Sequence, residues 1–407
     1  MAATPRDPWF DNAKMALVVL VVLGHSWVLL PQGAVVAHLY DFLYAWHLPA
    51  FVLVTGYLSR SFTWQARRLW TLVRTVAVPY VLFEAAIALF RIYVGGERLE
   101  DLFQDPHWPM WYLAALFFWR LLTPVFRPLP GGLAVAVVTS LLAGLWAGDT
   151  LDLARVLGLL PFFVMGLKAT PERLERLRGG PQRVAAVVVL TVIAVLSAFT
   201  DRWASTEWLY YRALYDDLDV SDTRAILTRA VLLVVGTAGA WAFLALTPRR
   251  GGWFARMGAS TLVVYLFHGF FVKGAEYAGY SGWADAHPAV SVVLTSVAAV
   301  GLALLLATTP VASRLGIAID PLGYGQRRVG EAVDLTVAGA DEGVVELSDP
   351  PPQPPGPGPV RPADTTGPTT GPTTGPTTGP TTGPTTGPTT GPTTDPAVGL
   401  GERSAPG

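Results

Sequence analysis

The chain has 407 residues, of which 51% are hydrophobic and only 14% are charged, with 29 Lys and Arg against 30 Asp and Glu. Soluble domains carry roughly 25% charged residues, so this composition excludes a soluble globular enzyme. The lack of a basic surplus excludes a nucleic-acid partner. Because the sequence contains no Cys, disulfides, cysteine zinc sites and cysteine nucleophiles are excluded as well.

Long apolar segments follow one another along the first part of the chain. A bilayer core about 30 Å thick needs roughly 20 apolar residues of helix. Ten segments approach that length: 13–30, 36–58, 70–94, 110–126, 131–147, 151–167, 184–199, 225–246, 257–271 and 289–312. The sequence therefore predicts an all-α integral membrane protein with about ten transmembrane helices, in a domain that covers residues 1–320.

The charges between these segments predict the orientation of the protein. Lys and Arg concentrate in the loops after the second, sixth and eighth segments, whereas the alternate loops are richer in Asp and Glu. Lys and Arg stay on the cytoplasmic side of a membrane. The pattern thus predicts a multi-pass protein of the bacterial cell membrane, in contact with membrane lipids and with both termini in the cytoplasm.

Residues 321–407 differ in character from the rest. The motif Thr-Thr-Gly-Pro occurs seven times between 365 and 392, and little apolar side chain is available for burial. Pro and Gly at every fourth position prevent a regular helix or strand. We therefore predict a disordered cytoplasmic tail.

Three His residues lie near the middle of predicted segments, where ionisable groups are costly and usually functional. His25, His47 and His268 each lie eleven residues from the predicted cytoplasmic end of their segment, which is a depth of about 16 Å. Lys14 precedes His25 by eleven residues and shares its helical face. The pattern predicts a buried polar chamber, although hydrogen-bonded packing of the His residues and an interfacial role for Lys14 remain open.

Four stretches of the chain resemble a known family in the same order. Residues 6–14 (RDPWFDNAK), followed by an apolar run to Gly24 and His25, resemble the opening of membrane acyltransferases of the acyltransferase-3 type. The similarity is closest to the fucose 4-O-acetylase-like branch. The other matching stretches are 45–57 (AWHLPAFVLVTGY), 111–120 (WYLAALFFWR) and 258–268 (GASTLVVYLFH).

This resemblance, which covers about residues 6–314, implies an O-acyltransferase with ten spans. The implied reaction moves an acetyl group from acetyl-CoA, a substrate rather than a bound cofactor, to a hydroxyl of a carbohydrate or cell-surface glycan. No metal is implied, and partner proteins of glycan assembly are expected. The family carries a basic residue followed, after ten residues, by an essential His, and Lys14 and His25 fit that spacing.

The chemistry of acyl transfer to a hydroxyl requires a base, and His is suited to it because its ordinary pKa is about 6.5. We therefore predict His25 as the general base, with Lys14 and Asp11 beside it in the catalytic site. Asp11 has an alternative explanation as an acidic residue favoured near a helix N-terminus.

Donor binding is expected at arginines on the predicted cytoplasmic side, namely Arg67, Arg68 and Arg74, because they suit the phosphates of CoA. The family has an Arg-x-x-Arg motif near this point, but here Thr71 stands three residues before Arg74. The sequence therefore leaves open which arginine holds the donor.

Five further residues are predicted to support the site: His47, Glu84, Trp111, Tyr112 and His268. The aromatic rings among them would stack on a sugar, although anchoring at the membrane interface explains them equally well. Two other classes of function are considered. A transporter or flippase should show repeat symmetry between its halves, which we do not find, and the intramembrane His residues argue against a scaffold that only presents the tail.

Overall fold

The described part of the chain is helical. The computed structural model describes residues 7–99, 106, 108–148 and 150–325, which form helices and turns without a β-strand. The chain divides into two units, Met1–Gly343 and Val344–Gly407, and all described residues belong to the first. The prediction of an all-α fold is confirmed, whereas the repeats of the predicted tail lie outside the described residues.

Eighteen α-helices have both ends within this part of the chain, and residues 321–325 are helical as well. The first nine are α1 (Pro8–Trp27), α2 (Ala34–Tyr44), α3 (His47–Ser59), α4 (Ala66–Leu72), α5 (Val78–Tyr93), α6 (Trp111–Phe126), α7 (Gly132–Ala143), α8 (Leu153–Gly158) and α9 (Leu160–Lys168). The others are α10 (Pro171–Glu175), α11 (Gly180–Ser197), α12 (Thr206–Leu209), α13 (Asp222–Leu246), α14 (Trp253–Met257), α15 (Thr261–Tyr277), α16 (Tyr280–Ala286), α17 (Pro288–Ala307) and α18 (Thr309–Ile319).

Proline explains why several predicted segments are not single straight helices. A proline lacks the N–H donor and its ring crowds the carbonyl four residues earlier. Pro49 is the third residue of α3, and the helix before it ends at Tyr44. Pro161 lies in the first turn of α9, which is bent by 55° from the helix before it. Before Pro79 the helix continues through a π-helical turn, Val73–Ala77. In this turn the hydrogen bonds span one residue more than in an α-helix, which accommodates the N–H that Pro79 lacks.

Several helices are long and apolar enough to cross a membrane, as expected. Within the described ranges they number five by length and composition, namely Ala34–Ser59, Ala66–Tyr93, Gly180–Ser197, Asp222–Leu246 and Pro288–Ala307. A sixth is obtained if the bent pair Thr150–Gly158 and Leu160–Lys168 is one span. The membrane class is thus supported, and the count of ten spans stays a prediction.

The outer faces of α11 and α17 carry exposed aliphatic side chains. Val184 and Val188 on α11 and Val290 and Val297 on α17 are each more than half exposed. Contiguous apolar surface of this kind is unfavourable in water and is covered by lipid in a membrane protein. The three His residues of the predicted segments lie on the inside instead, since His25, His47 and His268 are all buried.

Helices α3 and α9 approach each other at glycines. A Cβ atom on Gly56 would lie 2.1 Å from the backbone oxygen of Phe163, and one on Gly166 would lie 2.0 Å from that of Leu53. No real Cβ fits at such distances, so the two backbones must move apart if either glycine is replaced. This contact fixes the position of α3, which lines the site described below.

Gly56→Ala should therefore destabilise the protein by about 1–3 kcal/mol, the usual cost of overpacking an interior. The matched control is Gly301→Ala in α17, where an added Cβ meets nothing within 4 Å. That change should be neutral or stabilising, because Ala is favoured over Gly in a helix by about 1 kcal/mol. Thermal unfolding of the two variants in detergent measures the difference, and equal midpoints would contradict the close approach.

Candidate active site

The position of α1 is fixed by polar contacts at its start. The carboxylate of Asp7 caps the helix by accepting a hydrogen bond from the backbone N–H of Trp9 at 2.9 Å. The side-chain amide of Asn12 donates to the carbonyls of Pro248 and Arg250 at 2.9 and 3.0 Å. These contacts hold the depth and the rotation of the functional residues further along α1.

His25 on α1 and His268 on α15 form a hydrogen-bonded pair. Nδ1 of His25 lies 2.8 Å from Nε2 of His268, and Nδ1 of His268 lies 2.6 Å from the backbone carbonyl of Tyr265. A carbonyl oxygen only accepts, so Nδ1 of His268 carries the proton. With both rings neutral, Nε2 of His268 accepts from the N–H of His25. Nε2 of His25 is therefore left without a proton.

A cavity of about 440 Å³ lies beside His25, and we name it the His25 cavity. Eight of the twenty residues that line it are aromatic, and they are Tyr40, Tyr44, Phe51, Trp108, Trp111, Tyr112, Tyr210 and Tyr265. His47 lines it too, and its Nδ1 lies 2.8 Å from the carbonyl of Leu43. By the same reasoning, Nε2 of His47 has no proton in the neutral ring. The cavity thus combines flat apolar rings with phenol hydroxyls and two imidazoles.

A second cavity of about 290 Å³, the Lys14 cavity, is lined by Lys14 and Arg120 together with threonine and aliphatic side chains. Nζ of Lys14 forms a salt bridge of 2.8 Å with Oδ1 of Asp11. Helix α1 lines both cavities, since it provides Lys14 to one and His25 to the other. The cavities therefore lie at different levels along α1.

Three aromatic side chains, Phe51, Tyr112 and Tyr265, line both cavities and are referred to as the aromatic partition. The rings of Phe51 and Tyr112 have centroids 4.9 Å apart, and those of Tyr112 and Tyr265 are 5.7 Å apart. The hydroxyl of Tyr112 is hydrogen-bonded to Thr55. The partition is thus a packed and hydrogen-bonded layer between the two cavities.

The structure brings some of the predicted site residues together and separates others. His25, His47, Trp111 and Tyr112 line the His25 cavity, with His268 bonded to His25, while Lys14 lines the Lys14 cavity with Asp11 attached. The remaining four lie outside the lining of both cavities, and they are Arg67, Arg68, Arg74 and Glu84.

The separated residues have other surroundings. Arg67 and Arg68 are exposed on α4, and Nε of Arg74 lies 3.4 Å from Oδ1 of Asp320. Glu84 is fully buried within α5. The roles predicted for these residues from the sequence stay predictions.

Four cationic residues that line the cavities are absent from the site residues predicted from the sequence, and they are Arg91, Arg120, Arg155 and Lys273. Arg120 lines the Lys14 cavity and Arg155 lines the His25 cavity. Arg155 falls inside the predicted segment 151–167, so the rule that ionisable residues within a span are functional candidates would have found it. Arg120 closes the stretch 111–120 and adjoins Trp119, whose indole donates to the carbonyl of Val156 at 2.9 Å.

Comparison with protein families matches residues 7–308 to the acyltransferase domain (Acyl_transf_3). This match covers more than half of the 407 residues. The chain belongs to this acyltransferase family. Comparisons with curated proteins and with solved structures gave no match.

Membership identifies the protein as an enzyme that transfers acyl groups, and its long apolar helices identify it as a membrane acyltransferase. This supports a transferase over the transporter or flippase considered above. The matched region contains the whole of the His25 and Lys14 cavities. The fucose 4-O-acetylase-like branch within the family stays a prediction.

Proposed function

We propose that this acyltransferase moves an acetyl group from acetyl-CoA to a hydroxyl of a carbohydrate or cell-surface glycan, with His25 as general base. The observation that carries the proposal is the hydrogen bond of 2.8 Å between His25 and His268. It leaves the second nitrogen of His25 unprotonated next to a cavity of suitable size. A general base needs an unprotonated nitrogen whose lone pair is held in a fixed direction. The hydrogen bond from His25 to His268 leaves Nε2 of His25 unprotonated and holds the ring in place.

A carbohydrate acceptor is supported by the lining of the His25 cavity. The rings of Tyr40 and Tyr44 are stacked with centroids 4.2 Å apart, and the hydroxyls of Tyr40 and Tyr210 are 2.9 Å apart. Aromatic rings with a polar end suit a ligand that has an apolar face and a polar edge. A sugar ring has both features.

A donor in the Lys14 cavity is supported by its two cations, Lys14 and Arg120. CoA carries phosphates, which bind ammonium and guanidinium groups through charge-assisted hydrogen bonds. The acyl arm would then pass between the side chains of the aromatic partition, so that its thioester reaches the acceptor hydroxyl in the His25 cavity. Donor and acceptor would thus enter from opposite ends of the helix bundle.

The reaction step balances with these groups. Nε2 of His25 takes the proton of the acceptor hydroxyl while its oxygen attacks the thioester carbonyl. The C–S bond then breaks, and the CoA thiolate receives that proton from His25. The products are the O-acetyl ester and free CoA, and His25 returns to its neutral form.

The proposed location is the bacterial inner membrane, with both termini in the cytoplasm and glycan-assembly proteins as neighbours. Reporter fusions provide the test of orientation. A fusion between Arg173 and Arg183 should report the cytoplasm, and one between Asp216 and Asp222 should report the opposite side, because basic loops stay inside. The same result for both fusions would contradict this topology.

The function is tested with the full-length acyltransferase in proteoliposomes, supplied with acetyl-CoA labelled in the acetyl group and with total surface glycan of the producing bacterium. We expect release of CoA and label in the glycan, both absent with empty liposomes. A transporter or flippase would move glycan without consuming acetyl-CoA. Consumption of acetyl-CoA with no label in any glycan fraction would contradict the proposed acceptor.

Lys14→Gln and Arg120→Gln should each weaken acetyl-CoA binding by about tenfold or more, because each removes a charged hydrogen-bond donor from the Lys14 cavity. Calorimetry on protein in nanodiscs measures the affinity. The matched control is Arg173→Gln, on the exposed surface of α10. Arg67→Gln and Arg68→Gln should have smaller effects, and larger effects there would instead support the donor site predicted from the sequence.

A further inference from the structure

Four charged side chains line the His25 cavity, and three of them are cations. They are Arg91 on α5, Arg155 on α8, and Lys273 and Glu276 on α15. Charged groups inside a membrane domain are costly and are usually retained for a function. Acid–base catalysis by His25 does not account for them.

The charges of Arg91 and Lys273 are balanced by nearby carboxylates. Nε of Arg91 lies 2.9 Å from Oε2 of Glu97, and Nζ of Lys273 lies 3.5 Å from Oε1 of Glu97 and 3.0 Å from Oε2 of Glu276. Partial burial disfavours the charged form of Glu97, but hydrogen bonds from Arg91 and Tyr277 outweigh it and lower its pKa to about 2. Two cations thus face two carboxylates, and this group carries no surplus charge.

Arg155 is hydrogen-bonded to the buried carboxylate of Asp152. Its Nη1 donates to Oδ2 of Asp152 at 3.0 Å, and Oδ1 of the same carboxylate lies 3.9 Å from Nε of Arg212. Two guanidinium groups therefore share one carboxylate. Among the described residues, Asp152 is the only side chain to which Arg155 donates, so most of its five N–H groups are left for a ligand.

The guanidinium group of Arg155 is also held in place. Its central carbon lies 4.8 Å from the centroid of the Trp111 ring, a cation–π contact, and the side chain is 13% exposed. Arg155 and His25 line the same cavity. The guanidinium group of Arg155 is planar and fixed in that cavity. Such a group suits a carboxylate or a phosphate, which arginine binds through two parallel hydrogen bonds.

We propose that Arg155 binds an anionic group of the acceptor, so that the acceptor is an acidic sugar carrying a carboxylate or a phosphate. The inference rests on the proposed function, because that function assigns the His25 cavity to the acceptor. The anionic group would lie against Arg155 while the sugar ring stacks on Tyr40 and Tyr44. One hydroxyl would then meet Nε2 of His25.

Binding is tested without acyl donor, using full-length protein in nanodiscs and two matched ligand pairs. The first pair is methyl glucuronide with methyl glucoside, and the second is glucose 6-phosphate with glucose. In at least one pair, the charged ligand should bind at least about tenfold more tightly than its neutral partner. The neutral ligand lacks the anionic group that would accept a hydrogen bond from Arg155. The pair that shows the larger preference distinguishes a carboxylate from a phosphate.

Arg155→Gln should abolish the preference for the charged ligand. Arg155→Lys should retain part of it, since lysine keeps the positive charge but cannot donate two parallel hydrogen bonds. Arg224→Gln, an exposed arginine outside the cavity lining, is the control and should bind like wild type. The melting temperature shows that each variant is folded.

Three outcomes would overturn the inference. One is a wild-type protein without preference in either pair, and another is an Arg155→Gln variant that keeps the preference. The third is a lower kcat in Arg155→Gln with unchanged acceptor binding, which would assign Arg155 to the tetrahedral oxyanion instead. The first two outcomes come from binding measured without a donor, so they are independent of the acetyl-transfer assay, and failure of that assay would leave them unchanged.

Discussion

His25→Ala should lower the rate of acetyl transfer by about 10²–10⁴-fold or more while acetyl-CoA binding stays close to that of wild type. A positioned general base contributes a factor of this size. Donor binding should persist because Lys14 and Arg120, the cations of the Lys14 cavity, lie on the other side of the aromatic partition from His25. The measurement is single-turnover transfer in proteoliposomes together with calorimetry of acetyl-CoA binding.

The control for this experiment is His287→Ala, since His287 is exposed and outside the lining of both cavities. It should transfer acetyl groups at the wild-type rate. Near-normal turnover by His25→Ala would contradict the role of general base and would mean that His25 only packs between helices. Loss of acetyl-CoA binding in His25→Ala, with an unchanged melting temperature, would contradict the separation of the two cavities.

The positions of the helices could be predicted from hydropathy, but their breaks could not. Segment 36–58 reads as one apolar stretch, yet α2 ends at Tyr44 and α3 begins at His47. Segment 289–312 likewise divides at Thr308, between α17 and α18. Hydropathy measures how favourable it is to transfer a side chain into lipid. It does not register that Pro49 and Pro310 lack the backbone N–H that a continuous helix needs.

The chamber of three imidazoles was predicted from depth, but the pairing within it was not. Depth follows from the rise per residue along each helix, whereas the pairing depends on how the helices are rotated against one another. His25 meets His268 on α15, while His47 bonds to the carbonyl of Leu43. No spacing in the sequence distinguishes these two situations.

The predicted donor arginines show the limit of reading charge from loop position. Arg67 and Arg68 lie near the expected membrane face, but both are exposed and neither lines the Lys14 cavity. Arg120 belongs to α6 and lines the Lys14 cavity; because it lies inside the predicted segment 110–126, the rule that ionisable residues within a span are functional candidates would have found it. Side-chain direction depends on helix packing, which is a property of the assembled bundle.

His268→Leu should lower kcat by about 10²-fold or more, whereas His268→Gln should lose about tenfold or less. The two replacements have similar size, but only Gln keeps an oxygen that accepts the N–H of His25. Without an acceptor at that position, His25 is free to place its proton on Nε2, where it would no longer be a base. Loss of the group that fixes a His tautomer costs about 10⁴-fold in serine proteases.

A purely structural role of His268 would give a different pattern from this orienting role. His268 is fully buried, so both replacements disturb packing and should lower the melting temperature to a similar extent. Only the orienting role separates Leu from Gln in kcat. His47→Leu supplies the comparison, because His47 is buried and lines the same cavity but has its hydrogen bond with the carbonyl of Leu43 and not with His25. There the change should appear in the KM of the acceptor. Equal losses of kcat for His268→Leu and His268→Gln would mean that the hydrogen bond to His25 does not govern the base.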